Sequence, residues 1–101
     1  MNVPVFLHIE ATPNPNEFEA LQGYLSQAPS VVNHYGGVVV ATYDVECALD
    51  DKAKPAVFMV VSFPSREAID SLFTSEAYQA IVPLRDKGFE HIRFYVTSER
   101  L

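Results

Sequence analysis

Ala56-Val57-Phe58-Met59-Val60-Val61-Ser62-Phe63 reads as a β-strand that is apolar on both faces. A strand of that kind belongs in the middle of a sheet, covered on both sides. Pro64-Ser65 ends it, and Ser65 is placed to cap a short helix that buries Ala68, Ile69, Leu72 and Phe73. Thr74 and Ser75 offer a second cap, and a further helix carries Ala77, Tyr78, Ile81 and Leu84. Pro83 inside that helix predicts a kink or a stop, and Gly88 closes it. A last strand, Glu90 to Ser98, alternates His91, Arg93 and Tyr95 with Ile92, Phe94 and Val96.

Upstream of the apolar strand, Leu49-Asp50-Asp51-Lys52-Ala53-Lys54-Pro55 is a polar hairpin tip. It joins a second strand that opens at Gly36-Gly37 and runs to about Cys47. Before that, Val3 to Glu10 alternates like a strand, and Thr12-Pro13-Asn14-Pro15 ends it. Asn14 suits an N-cap, Pro15 the first helical position and Glu17 a capping box. The helix Pro15 to Ala28 is expected to bury Phe18, Leu21, Leu25 and Ala28, and to end at Pro29. The order is β-α-β-β-α-β, an α+β ferredoxin-like pattern with a four-stranded antiparallel sheet and helices on one face. The whole chain, residues 1–101, forms one such domain.

Strands one and three take the centre of this sheet, which leaves the second strand at an edge. Yet Val38-Val39-Val40-Ala41 is apolar on both faces. An uncovered edge of that kind invites pairing with another chain. The uncovered sheet face predicts a partner sheet, most simply that of a second copy in a two-fold homodimer.

Composition narrows the function. Thirteen acidic residues against seven basic ones give a net charge of -6, and there is no basic cluster. Neither nucleic acid nor an anionic membrane surface is an expected partner. An RNA-recognition reading of the same topology fails on charge and on the absence of a basic, aromatic-rich third strand. The longest apolar run is far shorter than the ~20 residues a spanning helix needs. Met1-Asn2-Val3-Pro4 lacks the basic and apolar regions of a secretory leader. The lone Cys47 excludes an internal disulfide and a cysteine-based zinc site, and suits a cytoplasmic protein.

Tyr35-Gly36-Gly37, Phe63-Pro64-Ser65-Arg66-Glu67-Ala68, Ser75-Glu76-Ala77-Tyr78-Gln79 and Pro83-Leu84-Arg85 follow in an order and spacing that resembles the domain of unknown function 1330 family. The resemblance extends from Pro4 to Val96, and Phe63 to Arg85 is its specific part. It departs at Val38, where the family often has Arg, and at Asp50-Asp51-Lys52, where a glycine-bearing turn is common. The resemblance implies a dimeric α/β barrel, in which two ferredoxin-like chains pack sheet against sheet. Relatives in that superfamily include cofactor-independent monooxygenases, muconolactone isomerase-like proteins and haem enzymes; the family itself implies no activity.

Arg85, near the end of the second helical region, can clamp a carboxylate with two parallel hydrogen bonds, or form an intrachain ion pair. Tyr78 lies two helical turns before it, so both can face one small ligand; the ring can equally pack in the core. Tyr35 and Phe63 are candidate ligand surface, with Tyr43 beside them. His34, in the loop before Gly36 and next to Tyr35, is the candidate general acid or base. His8 and His91 lie on neighbouring strands, and a one-residue register choice decides whether they share a face. A metal would need Glu10 or Glu90 as a further ligand, and no metal-ligand spacing supports one. No cofactor is expected. The two expected functions are a homodimeric small-molecule-binding module, with a pocket between sheet and helices, and a cofactor-independent monooxygenase, isomerase or lyase acting on a small aromatic or carboxylated metabolite.

Overall fold

The computed structural model describes residues 4–100. Seven elements follow one another: β1 (Val5–Pro13), α1 (Phe18–His34), β2 (Val38–Asp44), β3 (Val57–Phe63), α2 (Arg66–Thr74), α3 (Glu76–Gly88) and β4 (Phe89–Thr97). The strands form one antiparallel sheet in the order β2-β3-β1-β4. β1 and β3 are central, as the ferredoxin-like order and the two apolar faces of β3 require, and β2 and β4 are edges. The ferredoxin-like arrangement is therefore present, with its second helical region divided between α2 and α3.

Both expected serine caps are made. The Ser65 hydroxyl accepts from the Ala68 amide, and the Ser75 hydroxyl accepts from the Tyr78 amide, each at 3.1 Å. Each satisfies one of the donors that a helix start leaves free. Pro83 does not stop α3, which runs on to Gly88.

The first helix differs from expectation at both ends. Asn14 does not cap it. Its side chain accepts from the Asn16 amide at 3.0 Å in a local turn, β1 continues through Pro13, and Glu17 takes the N-cap without a side-chain bond. The Val3 start expected for β1 lies outside the described residues. At the other end, Pro29 lies inside the helix. A proline removes one hydrogen-bond donor, and here the following turn goes on, with Val31 and Val32 packed against the core. The helix stops five residues later at two glycines. Gly36 has φ +87°, its amide bonds to the Asn33 carbonyl, and the Gly37 amide bonds to the Val32 carbonyl, both at 3.0 Å. That is a Schellman ending, which needs a residue free to adopt left-handed backbone.

The buried stripe of α1 also differs. Ala20, Tyr24 and Ala28 are buried, whereas Phe18 and Leu25 are exposed, at 66% and 46%. The physical reason is that α1 leans on α3 rather than lying flat on the sheet. Close approach at that contact depends on Gly88, where an added Cβ would sit 2.8 Å from both the Leu21 amide nitrogen and its Cα.

Register sorts the sheet into two faces. Leu7 opposes Val61 and Val96, and Ile9 opposes Met59 and Phe94, on the helix side. The core centres there on Leu7, Val61, Phe63, Ile69, Leu72, Tyr78 and Ile81. The opposite face carries Phe6, His8, Val60, Phe58, Tyr95 and Tyr43 and has no helix over it. At the β2 edge a bulge between Val39 and Ala41 leaves Val38, Val39 and Val40 all more than half exposed.

Replacing Gly88 by Ala should lower unfolding stability by about 1–3 kcal/mol, because the obstructing atoms are backbone. Gly23→Ala meets only the tip of the Leu84 side chain, at 3.1 Å, and gains helix propensity. Urea denaturation should therefore show a clear drop in midpoint for the first variant and a smaller one, or none, for the second.

Candidate functional site

Because α1 stands away from the sheet, a cavity of about 520 Å³ lies between them. Leu25, Ala28 and Pro29 form its roof, and Ile9, Met59 and Val61 its floor. The exposure of Leu25 follows from this: it lines an open space instead of a packed contact.

One end of the cavity is aromatic. Phe73 meets Tyr78 edge to face at 4.9 Å and Phe94 at 5.1 Å, while Tyr24 meets Phe89 at 5.7 Å. Such edge-to-face pairs fix ring orientation as well as filling space. The two tyrosines in this cluster bring their hydroxyl oxygens to 2.8 Å of each other. Arg85, seven residues after Tyr78 on the same face of α3, donates from Nη1 to the Tyr78 hydroxyl at 3.2 Å. Its guanidinium also stacks 5.6 Å from the centres of the Tyr78 and Phe94 rings. On its outer side, Nε and Nη2 donate to the Asp86 carboxylate at 3.2 and 3.1 Å.

The electrostatics follow from burial. Burial first, then the neighbouring Tyr78 oxygen and their mutual hydrogen bond, push the Tyr24 hydroxyl far above the ordinary tyrosine range; Arg85 opposes this more weakly. Burial also works against the charge of Arg85, but its bonds to Tyr78 and Asp86 outweigh that and leave the guanidinium more firmly protonated.

The structure thus brings Tyr78 and Arg85 together at one cavity end. Phe63 is elsewhere in the core, only 1% exposed and packed under Gly37. His34 is the last residue of α1 rather than a loop residue, and its ring meets Tyr35 edge to face at 5.1 Å. Those two residues share a shallow outer depression with Ser30, Val31 and Ala77, and neither lines the large cavity. Tyr43 opposes Phe58 on the uncovered sheet face. His8 and His91 share that face but do not meet: His8 opposes Tyr95 and bonds to the Thr97 hydroxyl at 2.8 Å, whereas His91 opposes Thr12. Among the described residues no cluster of three His, Cys, Asp or Glu side chains could hold a metal ion. No described helix is long and apolar enough to cross a membrane.

Tyr24 is the site residue that sequence reasoning missed. It sits four residues after Ala20 in the buried stripe of α1, but its partner Tyr78 is 54 residues away, and only the α1–α3 contact joins them.

Residues 9–97 match the family model described as a domain of unknown function, DUF1330. No curated protein sequence matches the chain. Among solved structures, a protein of unknown function from Rhodopseudomonas palustris superposes with a TM-score of 0.83 at 18% identity, covering 100% of this chain and 85% of that one. A NIPSNAP family protein from Agrobacterium tumefaciens superposes at 0.65 with 10% identity, over 99% of this chain and 89% of its own. An antibiotic biosynthesis monooxygenase-like protein from Nitrosomonas europaea gives 0.65 and 10%, over 98% and 92%. At these identities the likeness is one of fold.

Tyr24 predicts an alkaline weakness. Its folded hydroxyl stays protonated beyond about pH 10, the ordinary tyrosine value at which the unfolded chain begins to ionise. The stability it contributes is therefore complete below that pH and lost as pH rises towards the folded value. Urea midpoints should fall between pH 9 and 11.5 more steeply in the native protein than in Tyr24→Phe; equal slopes would contradict the burial of this hydroxyl.

Proposed function

The chain belongs to the DUF1330 family, a domain of unknown function, and we propose that it is a homodimeric small-molecule-binding module whose ligand lies between the sheet and α1. The observation that carries this reading is the cavity of about 520 Å³, whose lining is apolar except for Asn33 and for Tyr24 and Tyr78, behind which Arg85 is bonded. Ligand sites are commonly of ~300–1,000 Å³ with a few polar groups in an apolar lining. Neither Phe63 nor Tyr35 lines this cavity, and neither is part of the proposed ligand surface.

Two features support the second copy. The uncovered sheet face holds Phe6, Phe58, Val60, Tyr43 and Tyr95 with the half-buried His8, and its charged residues Glu10 and Arg93 oppose each other. The chain also exposes 6960 Å², about a fifth more than the roughly 5,700 Å² of a compact monomer of its mass. A partner sheet would remove that excess. The single thiol, Cys47, lies exposed between β2 and β3, which suits a reducing cytoplasm. Turnover of the bound molecule, with His34 as acid or base, has less support because His34 does not line the cavity.

Sedimentation at micromolar concentration should give about twice the 11.3 kDa chain mass, and Val60→Asp, which places a charge in the middle of the uncovered face, should give a monomer. A monomeric native protein would remove the dimer from the proposal. In a thermal-shift screen of small aromatic and alicyclic compounds, a binder at a hundredfold its Kd should add about 2.7 kcal/mol. That corresponds to roughly ten degrees or more for a domain this size. Ala28→Phe, which fills the roof of the cavity, should abolish the shift. A blank screen, or hits indifferent to that substitution, would locate the function elsewhere.

A further inference from the structure

We infer that the ligand of this cavity is an uncharged, apolar molecule that presents one hydrogen-bond acceptor oxygen, of the ketone or ester kind, to a tyrosine hydroxyl, and that it is not a carboxylate. The inference rests on the binding reading above and narrows it. It comes from counting hydrogens. Arg85 can only donate, so the Tyr78 oxygen accepts from it. The contact between the Tyr78 and Tyr24 oxygens consumes one hydrogen. Two phenols supply two, so one O–H is left, and neither hydroxyl has a further partner among the described residues. A cation donating to Tyr78 polarises its O–H and makes it the better donor to Tyr24. The unspent hydrogen is then that of Tyr24, whose residue lines the cavity. What it lacks is an acceptor.

Arg85 cannot act as the carboxylate clamp that its position in the sequence invited. It does not line the cavity, and three of its five N–H donors are committed: those of Nε and Nη2 to Asp86 on the outer side, and one of Nη1 to Tyr78. A ligand carboxylate would lie behind the Tyr78 hydroxyl in an apolar space, with one phenol as donor and no free counter-charge. Burial of a charge on those terms is strongly unfavourable. The same surroundings suppress ionisation of Tyr24, and they would suppress ionisation of a ligand acid in the same way. Arg85 is accordingly a positioning residue, acting on the ligand through Tyr78.

Three probes of one shape test this: 2-acetylnaphthalene, 2-ethylnaphthalene and 2-naphthoate, titrated at pH 8 into the native protein. The absence of tryptophan leaves naphthalene fluorescence free as the readout. The ketone should bind about fivefold tighter than the hydrocarbon, as one neutral hydrogen bond provides. The naphthoate should bind at least about tenfold more weakly than the ketone, because its charge is desolvated without a partner. In Tyr24→Phe the ketone should fall to the affinity of the hydrocarbon, whose own affinity stays the same. Arg85→Leu should lower ketone affinity alone, whereas a merely structural role would lower both. If the hydrocarbon binds and the ketone gains nothing, or the naphthoate binds best, this inference is overturned while the cavity remains a binding site. If neither the ketone nor the hydrocarbon binds, the binding reading fails with it.

Discussion

The lean of α1 against α3 sets the rest of the molecule. It depends on a glycine, since any side chain at position 88 would collide with the backbone of Leu21. Two helices that approach this closely side by side leave less of either to cover the sheet. The N-terminal part of α1 is held at Gly88, and its later turns pass over β3 towards β2 at a distance that side chains do not fill. The cavity is thus a product of helix–helix packing, and its roof is a helix. Proline at position 29 belongs to the same arrangement: it forms part of that roof.

Much of this fold was legible before any coordinates. Both serine caps, the central place of β3, the edge position of β2 and the alternation of β4 follow from local chemistry: a hydroxyl before a helix, apolarity on two faces, a period of two. These rules act within a few residues, and so a sequence displays them. The departures have another origin. Pro29 looks like a stop because helix propensity counts the lost donor, whereas the contacts that keep the next turn helical involve Val31 and Val32 against a distant core. Phe18 and Leu25 look like core because they share a helical stripe, but which stripe is buried depends on where α3 lies.

The candidate site divides in the same way. Arg85 and Tyr78 could be paired from sequence because two turns of one helix separate them. Tyr24 could not, since no spacing rule reaches across 54 residues. Phe63 is aromatic and close to the glycines, and packing beneath Gly37 is an equally good use of such a residue. His34 and Tyr35 belong to the Schellman ending of α1, where the chain turns away from the cavity before entering β2. Sequence proximity to the two glycines therefore indicated a turn, and a turn places side chains by its own geometry.

The arrangement at the aromatic end also explains how a guanidinium can serve an apolar cavity without charging it. Arg85 is partly exposed, with 19% of its side chain accessible, and its charge is met by an exposed aspartate on the solvent side. Between it and the cavity stand the Tyr78 hydroxyl and the Tyr78 and Phe94 rings. The cation is close enough to polarise a phenol, and too well covered to demand an anion. A chain of two phenols then carries that polarisation to Tyr24 as a stronger O–H donor rather than as net charge. Recognition of this kind favours molecules that offer electron density without carrying charge. An isolated arginine at the same place would favour acids. In the proposed ligand site the second tyrosine, contributed by α1, would change the selectivity, and the close α1–α3 contact is what places it there.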